Sequence, residues 1–343
     1  MLSHKEAVDL LKDPDLIGIG MAADAVRRRL HPEGVVTYII DRNINYTNFC
    51  SEYCTFCAFY RPLGHPEGYI LPKEVIFQKI QETIELGGAG ILMQGGLHPD
   101  LKIEWYEDLL RSIKQRFKIH LHCFSSPEIL NIAEVSGLSI RDTIARLRDA
   151  GLDSIPGGGA EILDDEVRHR ISRLKCNTEE WAAVHREAHK LGMKTTATMM
   201  FGCGETLEQR VNHLEVVRRI QDETGGFTAF IPWTFQKENT SLGRFVKEEA
   251  TAVEYLKTLA VSRLYLENIP NVQASWVTQG LKLCQIGLRF GANDVGSVMI
   301  EENVVAAAGA HNCSTEEELR RIIRDAGFIP KQRDTLYRTL FLN

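Results

Sequence analysis

Eight short runs with strand character recur along the chain, and a helix-patterned segment separates each from the next. The runs are VVTYIIDRNIN, ILMQGG, KIHLHCF, GLDSIPGGG, MKTTATMMFG, FTAFIPWTF, NVQASW and LRFGANDVGS. Lys73–Leu86, Glu104–Phe117, Ile140–Ala150, Glu179–Leu191, Leu207–Gln221 and Glu248–Leu266 carry apolar residues at helical spacing, with a short helix near Gly280–Gln285. Asn177 and Glu180 are spaced as a capping box, and Gly192 supplies a stop. Strands that alternate with helices imply parallel βαβ units, and eight units imply a (β/α)8 TIM-type barrel. An open doubly wound sheet is the alternative. Neither GGAGILMQGG nor PGGGAE sits where a dinucleotide-binding fingerprint belongs.

The chain has 343 residues, room for a barrel of ~250 residues with extensions at both ends. The expected division is a helical extension at 1–34, the barrel at 35–310, and a C-terminal helical tail at 311–343 packed on it. Two terminal helices, near Glu302–Ala308 and Ser314–Ala326, are expected to complete the chain. Lys and Arg number 40 against 46 Asp and Glu, so a general nucleic-acid binder is not expected. No apolar run reaches the ~18 residues of a membrane-spanning helix. The N-terminal stretch MLSHKEAVDLLKDPDL lacks the apolar region of a secretory signal, and a cytoplasmic location is expected.

Of eight cysteines, five are scattered singly, while Cys50, Cys54 and Cys57 form C-x3-C-x2-C. A cluster of this kind in a long chain reads as metal ligation or redox chemistry rather than disulfides. Asn45, Thr47 and Asn48 precede it, and Pro62, Gly64, Pro66 and Gly68 follow, so it reads as a loop leaving the first strand. Zinc with His65 as a fourth ligand is one possibility, but structural zinc normally pairs cysteine knuckles far apart in sequence. Three thiolates suit three irons of a [4Fe–4S] cluster, with one iron left open to a small molecule.

In a barrel, chemistry sits at the C-terminal ends of the strands. Polar residues expected there include Asn43 and Asn45, Gln94 to Gly96, Glu161, Glu205, Thr234 and Gln236, and Asn293 and Asp294. Side chains alternate along a strand, so in KIHLHCF an outward face of Ile119, Leu121 and Cys123 turns His120 and His122 into the barrel.

The cysteine spacing, with aromatic Phe56 between the last two cysteines, resembles the radical S-adenosylmethionine superfamily. TYIIDRNINYTNFC, CTFCAFYR, QGGLHP, GLDSIPGGGAEIL, TTATMMFG, FTAFIPWTF and GANDVGSVMIEENV extend the resemblance over nearly the whole chain. They are similar to the menaquinone-pathway branch that acts on futalosine derivatives. DRNINYTN and FIPWTFQ favour a cyclase acting on dehypoxanthine futalosine. Aminofutalosine synthase-like and deazaflavin (F0) synthase-like enzymes are the alternatives.

The resemblance implies that Cys50, Cys54 and Cys57 ligate the cluster and that S-adenosylmethionine completes it. Phe56, Gly95, Gly96, Glu161 and Glu205 would belong to the cofactor pocket. Leu97 replaces the acidic residue usual after the glycines, leaving backbone groups to meet the methionyl amine. Arg173-Leu174-Lys175 departs from the Pro expected before the Lys, which leaves Lys175 without an assigned role. Thr234, Gln236, Asn293 and Asp294 would bind the substrate, with Trp233 and Phe235 as apolar walls. The implied chemistry is abstraction of a sugar hydrogen, addition of the carbon radical to the substrate's arene, and loss of one electron and one proton. His122 is the expected proton acceptor, and Arg61–Leu71 the expected lid. Reduced flavodoxin or ferredoxin is the implied electron donor.

Overall fold

The structure is a computed structural model that describes residues 2–340. Its strands are β1 (Val35–Ile39), β2 (Asp41–Ile44), β3 (Gly90–Met93), β4 (His120–Cys123), β5 (Ser154–Ile155), β6 (Lys194–Phe201), β7 (Phe227–Thr234), β8 (Asn271–Val272), β9 (Asp294–Ser297) and β10 (Ile329–Gln332). Seven of them, β2 through β8, form one sheet in sequential order, and β10-β1-β9 form a second. Every strand pairing is parallel. The sheets join at two places. Only Ile40 separates β1 from β2, and a parallel bridge between Gln273 and Asp294 links the end of β8 to β9. The result is a TIM-like parallel α/β barrel.

Helices coat the barrel because each carries one apolar stripe. Ile80, Leu109, Ile113, Leu147 and Val184 are fully buried in one cluster with the outward-facing strand residues Ile91, Leu121 and Cys123. Each such aliphatic side chain contributes ~1.5–3 kcal/mol on burial. Asn177 and Glu180 form the expected reciprocal cap of helix Thr178–Lys190. The N-terminal helices His4–Lys12 and Leu16–Leu30 pack on the barrel helix Ala252–Tyr265.

Several details correct the sequence reading. The C-terminal tail is not only helical: after helix Glu316–Asp325 it adds β10 beside β1, with Val35 opposite Ile329. The helix expected near 302–308 is not formed, and residues 304–309 make turns. Helices Ser126–Ser136 and Asp165–Ile171 are additional. The last barrel strand begins at Asp294, so Asn293 and Asp294 open that strand instead of ending it.

Candidate active site

The cysteine segment leaves β2 at the C-terminal end of the barrel and is tied down on several sides. Cys50 N donates to Arg61 O (3.0 Å), Ser51 N to Leu97 O (3.0 Å), and Thr55 N to Ile171 O (2.9 Å). Gly96 N donates to Thr47 O at 2.9 Å. A Cβ on Gly96 would lie 2.2 Å from Phe49 O and 2.9 Å from Cys50 Cβ, so only glycine lets the β3 end approach this segment. Gly95 N donates to Glu128 Oε1 (2.9 Å), which also accepts from Tyr46 OH (2.8 Å). Both glycine N–H groups are therefore occupied, and their carbonyls are the backbone groups left to meet a ligand. Glu128 was missed because helix Ser126–Ser136 was missed; the S-x-x-E spacing of Ser125 and Glu128 is the signal that marks it.

Cys50, Cys54, Cys57, Phe56, Gly95, Gly96, Glu128, Glu161 and Lys175 line one chamber of about 210 Å3. Burial pushes all three thiols up, Cys54 furthest. Thiolates there require positive charge nearby. Lys175 supplies one: burial opposes its charge, but Glu161 and Cys54 hold the ammonium protonated. Its Nζ donates to Glu161 Oε1 at 3.0 Å and lies 5.3 Å from the Phe56 ring centre. Glu161 adopts φ 39°, a left-handed conformation costly for a side-chain-bearing residue.

The donor set fits a cluster better than a single ion. Among the described residues, no three His, Cys, Asp or Glu side chains converge as one ion would require. A cubane instead takes each thiolate on a different iron. His65 lies outside the chamber, on a surface groove with Tyr60 and Arg61.

A second chamber of about 300 Å3 occupies the barrel interior and shares Gln94, Gly158, Gly159, Glu161, Trp233 and Val304 with the first. Its wall includes Asp41, Asn43, His122, Ile231, Ser297 and Glu302. Arg333, Thr335 and Tyr337, from the segment after β10, also line it. Asp41 Oδ1 and Asn43 Oδ1 are buried without a hydrogen-bond partner among the described residues. Asp41 is pushed up to about 6, chiefly by burial. The alternation Asp41, Asn43, Asn45 in an otherwise apolar run is the sequence signal for this polar face.

His120 and His122 do face inward, as strand alternation requires. His122 is held neutral, pushed down to about 3 by burial and by His120 and Arg333. A base that weak does not store a proton near neutrality.

Other expected site residues lie elsewhere. Glu205 has a fully buried side chain that accepts from Gly202 N and Cys203 N and pairs with Arg210 at 2.6 Å. It braces its own loop and lines neither chamber. Asp294 pairs with Arg333 through both oxygens (2.5 and 2.9 Å) and accepts from Thr37 Oγ1 (2.5 Å). Asn293 is spent on Arg263, Asn271 and Val272 N. Both belong to the junction that closes the barrel, for the reason already given: they begin β9. Along β7, Ile231 and Trp233 line the cavity, and alternation turns Thr234 away. Thr234 Oγ1 accepts from Gln279, and Gln236 bonds back to Thr234. Phe235 is buried in the core.

Segment 61–71, the expected lid, lines neither chamber. It is pinned beside the cysteine segment by the Thr47–Ile70 bridge and by Asn48, which bonds Glu67 O and Tyr69 N. The stretch after β9 borders the chambers instead: Asn303 donates to Asn45, and Val304 lines both.

Comparison with known proteins agrees with this geometry. Residues 44–217 match the radical SAM superfamily, and residues 224–342 match the CofH/MqnC C-terminal region. The cyclic dehypoxanthine futalosine synthase of Halalkalibacterium halodurans is 52% identical over 98% of this chain and 90% of its own length. The one from Streptomyces coelicolor is 44% identical over 100% of this chain and 86% of its own. A 5-amino-6-(D-ribitylamino)uracil–L-tyrosine 4-hydroxyphenyl transferase of Methanothermobacter thermautotrophicus is also 44% identical, over 95% of this chain and 90% of its own. Among solved structures, methylornithine synthase superposes with a TM-score of 0.74 at 19% identity, covering 96% of this chain and 94% of that one. Among the described residues no helix is long and apolar enough to cross a membrane. The three-cysteine loop at the mouth of a parallel barrel and the match over residues 44–217 lead to one conclusion: the chain belongs to the radical S-adenosylmethionine superfamily.

Proposed function

We propose that this chain is a radical cyclase that converts dehypoxanthine futalosine to its cyclic form in menaquinone biosynthesis. The likeness to the Halalkalibacterium synthase, at 52% over 98% of the chain, carries this reading. Two joined chambers, one lined by the cysteines and one by polar barrel residues, are the geometry it needs.

When bound, the [4Fe–4S] cluster and S-adenosylmethionine supply reductive cleavage of a sulfonium, the source of a 5′-deoxyadenosyl radical. Cys50, Cys54 and Cys57 would hold the cluster. Lys175 offsets negative charge beside them, and Glu161, which it fixes, faces both chambers. Asp41 and Asn43 present acceptors without donors, suited to sugar hydroxyls. Trp233 and Ile231 give the arene an apolar wall. The stretch after β9, whose Glu302, Val304 and Val305 line the interior chamber, would shield a reactive radical there. An electron must come from outside, and a small redox protein such as reduced flavodoxin or ferredoxin is the proposed donor.

The Methanothermobacter transferase, equal in identity to the Streptomyces synthase, supports a second reading in which the chain joins a tyrosine-derived group to a ribitylaminouracil. Anaerobic turnover separates the two. Cyclised product from dehypoxanthine futalosine, with no coupled product from tyrosine and 5-amino-6-(D-ribitylamino)uracil, is the expected result. The reverse pattern would overturn the cyclase and keep the radical barrel.

A further inference from the structure

We propose that His122, Ser154 and His120 form a relay that carries a proton from the barrel cavity to solvent at the opposite end of the barrel. The inference rests on the cyclase reading, in which the substrate gives up one hydrogen as an atom to the deoxyadenosyl radical. A second hydrogen must leave as a proton and one electron, and the cluster, held by Cys50, Cys54 and Cys57, would be the acceptor for the electron. That proton is released in the barrel interior, in the chamber that His122 lines.

Three observations carry it. Ser154 Oγ lies 2.6 Å from His122 Nδ1 and 2.7 Å from His120 Nε2, so one hydroxyl bridges two imidazoles. His122 lines the interior chamber. His120 lines an open groove at the other face of the barrel, with Ala89, Lys114, Phe117 and Asp153, all on segments that precede strands. The three residues thus run from inside to outside across neighbouring strands β4 and β5, where His122 and Ser154 stand side by side.

A hydroxyl both donates and accepts, and so does a neutral imidazole. In one passage His122 Nε2 takes a proton from the cavity while its Nδ1 hydrogen moves to Ser154 Oγ. The Ser154 hydrogen moves to His120 Nε2, and the His120 Nδ1 hydrogen leaves to water. All three groups begin and end neutral, with both tautomers exchanged. They reset by ring rotation or through cavity water between turnovers. No stable imidazolium is needed, which matches a His122 that resists protonation.

Arg333, Thr335 and Tyr337 line the rest of the floor, and the Arg333 guanidinium is committed to Asp294. The charged and titratable groups around the relay are Arg333 near His122, and Asp153, Lys114, Asp334 and Arg338 near His120. His185 lies behind His122 and is likewise kept neutral by burial.

One test reads the bridge itself. In 15N spectra of the cluster-loaded full chain, the two nitrogens facing Ser154 must be of opposite kinds, one bearing hydrogen and one bare. Two nitrogens of the same kind would overturn the bridge. A second test reads its use. Ser154→Ala should leave 5′-deoxyadenosine formation near wild type, yet slow cyclised product on the order of tenfold or more. Its solvent isotope effect on product formation should rise, Ser154→Thr should restore both, and His120→Phe, at the outer end, should reproduce the loss. Wild-type product rate and isotope effect in Ser154→Ala and His120→Phe would overturn the relay. Absence of cyclised product from the unmodified chain would instead count against the cyclase reading, leaving the tautomer result to stand or fall separately.

Discussion

Lys175 Nζ meets Glu161 Oε1 at 3.0 Å inside the chamber that also receives the Cys54 thiol. Both side chains are almost wholly shielded from solvent. Breaking a buried pair costs up to ~3–5 kcal/mol when one charge is stranded, and replacing both partners costs less; Arg168, 3.8 Å from Glu161 Oε2, keeps part of the compensation here. Lys175→Met should therefore lower the denaturant midpoint sharply, and the double variant with Glu161→Gln should recover most of the loss. Both should take up iron poorly, since the charge that offsets the thiolates is gone. Equal stability in the single and double variants would contradict this coupling.

The cysteines make a second expectation. Cys50→Ala, Cys54→Ala and Cys57→Ala should each lose the visible iron–thiolate absorbance and product formation. Cys313, exposed on the surface, should tolerate Ala with full iron content. Iron per chain after anaerobic reconstitution is the measurement, and a Cys54→Ala protein with normal iron would remove the assignment.

Gly96→Ala tests the approach of β3 to the cysteine segment. The added methyl would meet Phe49 O and Cys50 Cβ well inside contact distance. Overpacking of this kind costs ~1–3 kcal/mol. Because the atoms displaced belong to a cluster ligand, iron uptake should fall more than thermal stability does. A large stability loss with normal iron uptake would show that the glycine serves packing alone.

Acid should weaken the fold. Burial holds His122 and His213 down to about 3 and His189 down to about 4, and lowers His185 well below its ordinary value. The unfolded chain protonates these rings near ~6.5 and the native chain does not, so stability present above that pH is lost as pH falls. Asp41 opposes them: raised to about 6, it keeps a proton that the unfolded chain has released, so its contribution is lost as pH rises through 6. Each unmatched proton is worth ~1.4 kcal/mol per pH unit. His31, His98 and His120 are lowered by burial as well, and Glu52, Glu128 and Glu302 raised by it, so seven histidines stand against four carboxylates and stability falls between pH 6 and 4. Asp41→Asn should steepen that loss and raise stability at pH 8. Denaturant midpoints at pH 4.5, 6 and 8 check both signs.

The parallel barrel was legible because its strands and helices alternate with clear punctuation, and the cysteine loop because three thiols within eight residues have few other uses. Strand parity placed His120 and His122 correctly, since KIHLHCF has one apolar and one polar face. The same reasoning could not work in FTAFIPWT, where apolar residues occupy both faces, and Thr234 was read to the wrong side. LRFGANDVGS misled for another reason. Its apolar start belongs to the end of helix Trp276–Gly287 and the turn after it, so the strand begins several residues later than its composition suggests. Glu205 and Asp294 look like site carboxylates in sequence, but only three-dimensional packing reveals the arginines that claim them.

Because β10 lies beside β1 and the residues just after it floor the cavity, the barrel cannot be completed in the order in which it is made. At about 5–20 residues per second, the cysteine loop leaves the ribosome many seconds before Arg333, Thr335 and Tyr337 do. Until they arrive the interior is open from below, and Asp294 waits buried without its guanidinium. Every residue that lines the cysteine chamber, Val304 the last of them, has been made by then, so the two chambers of one site are completed at different times.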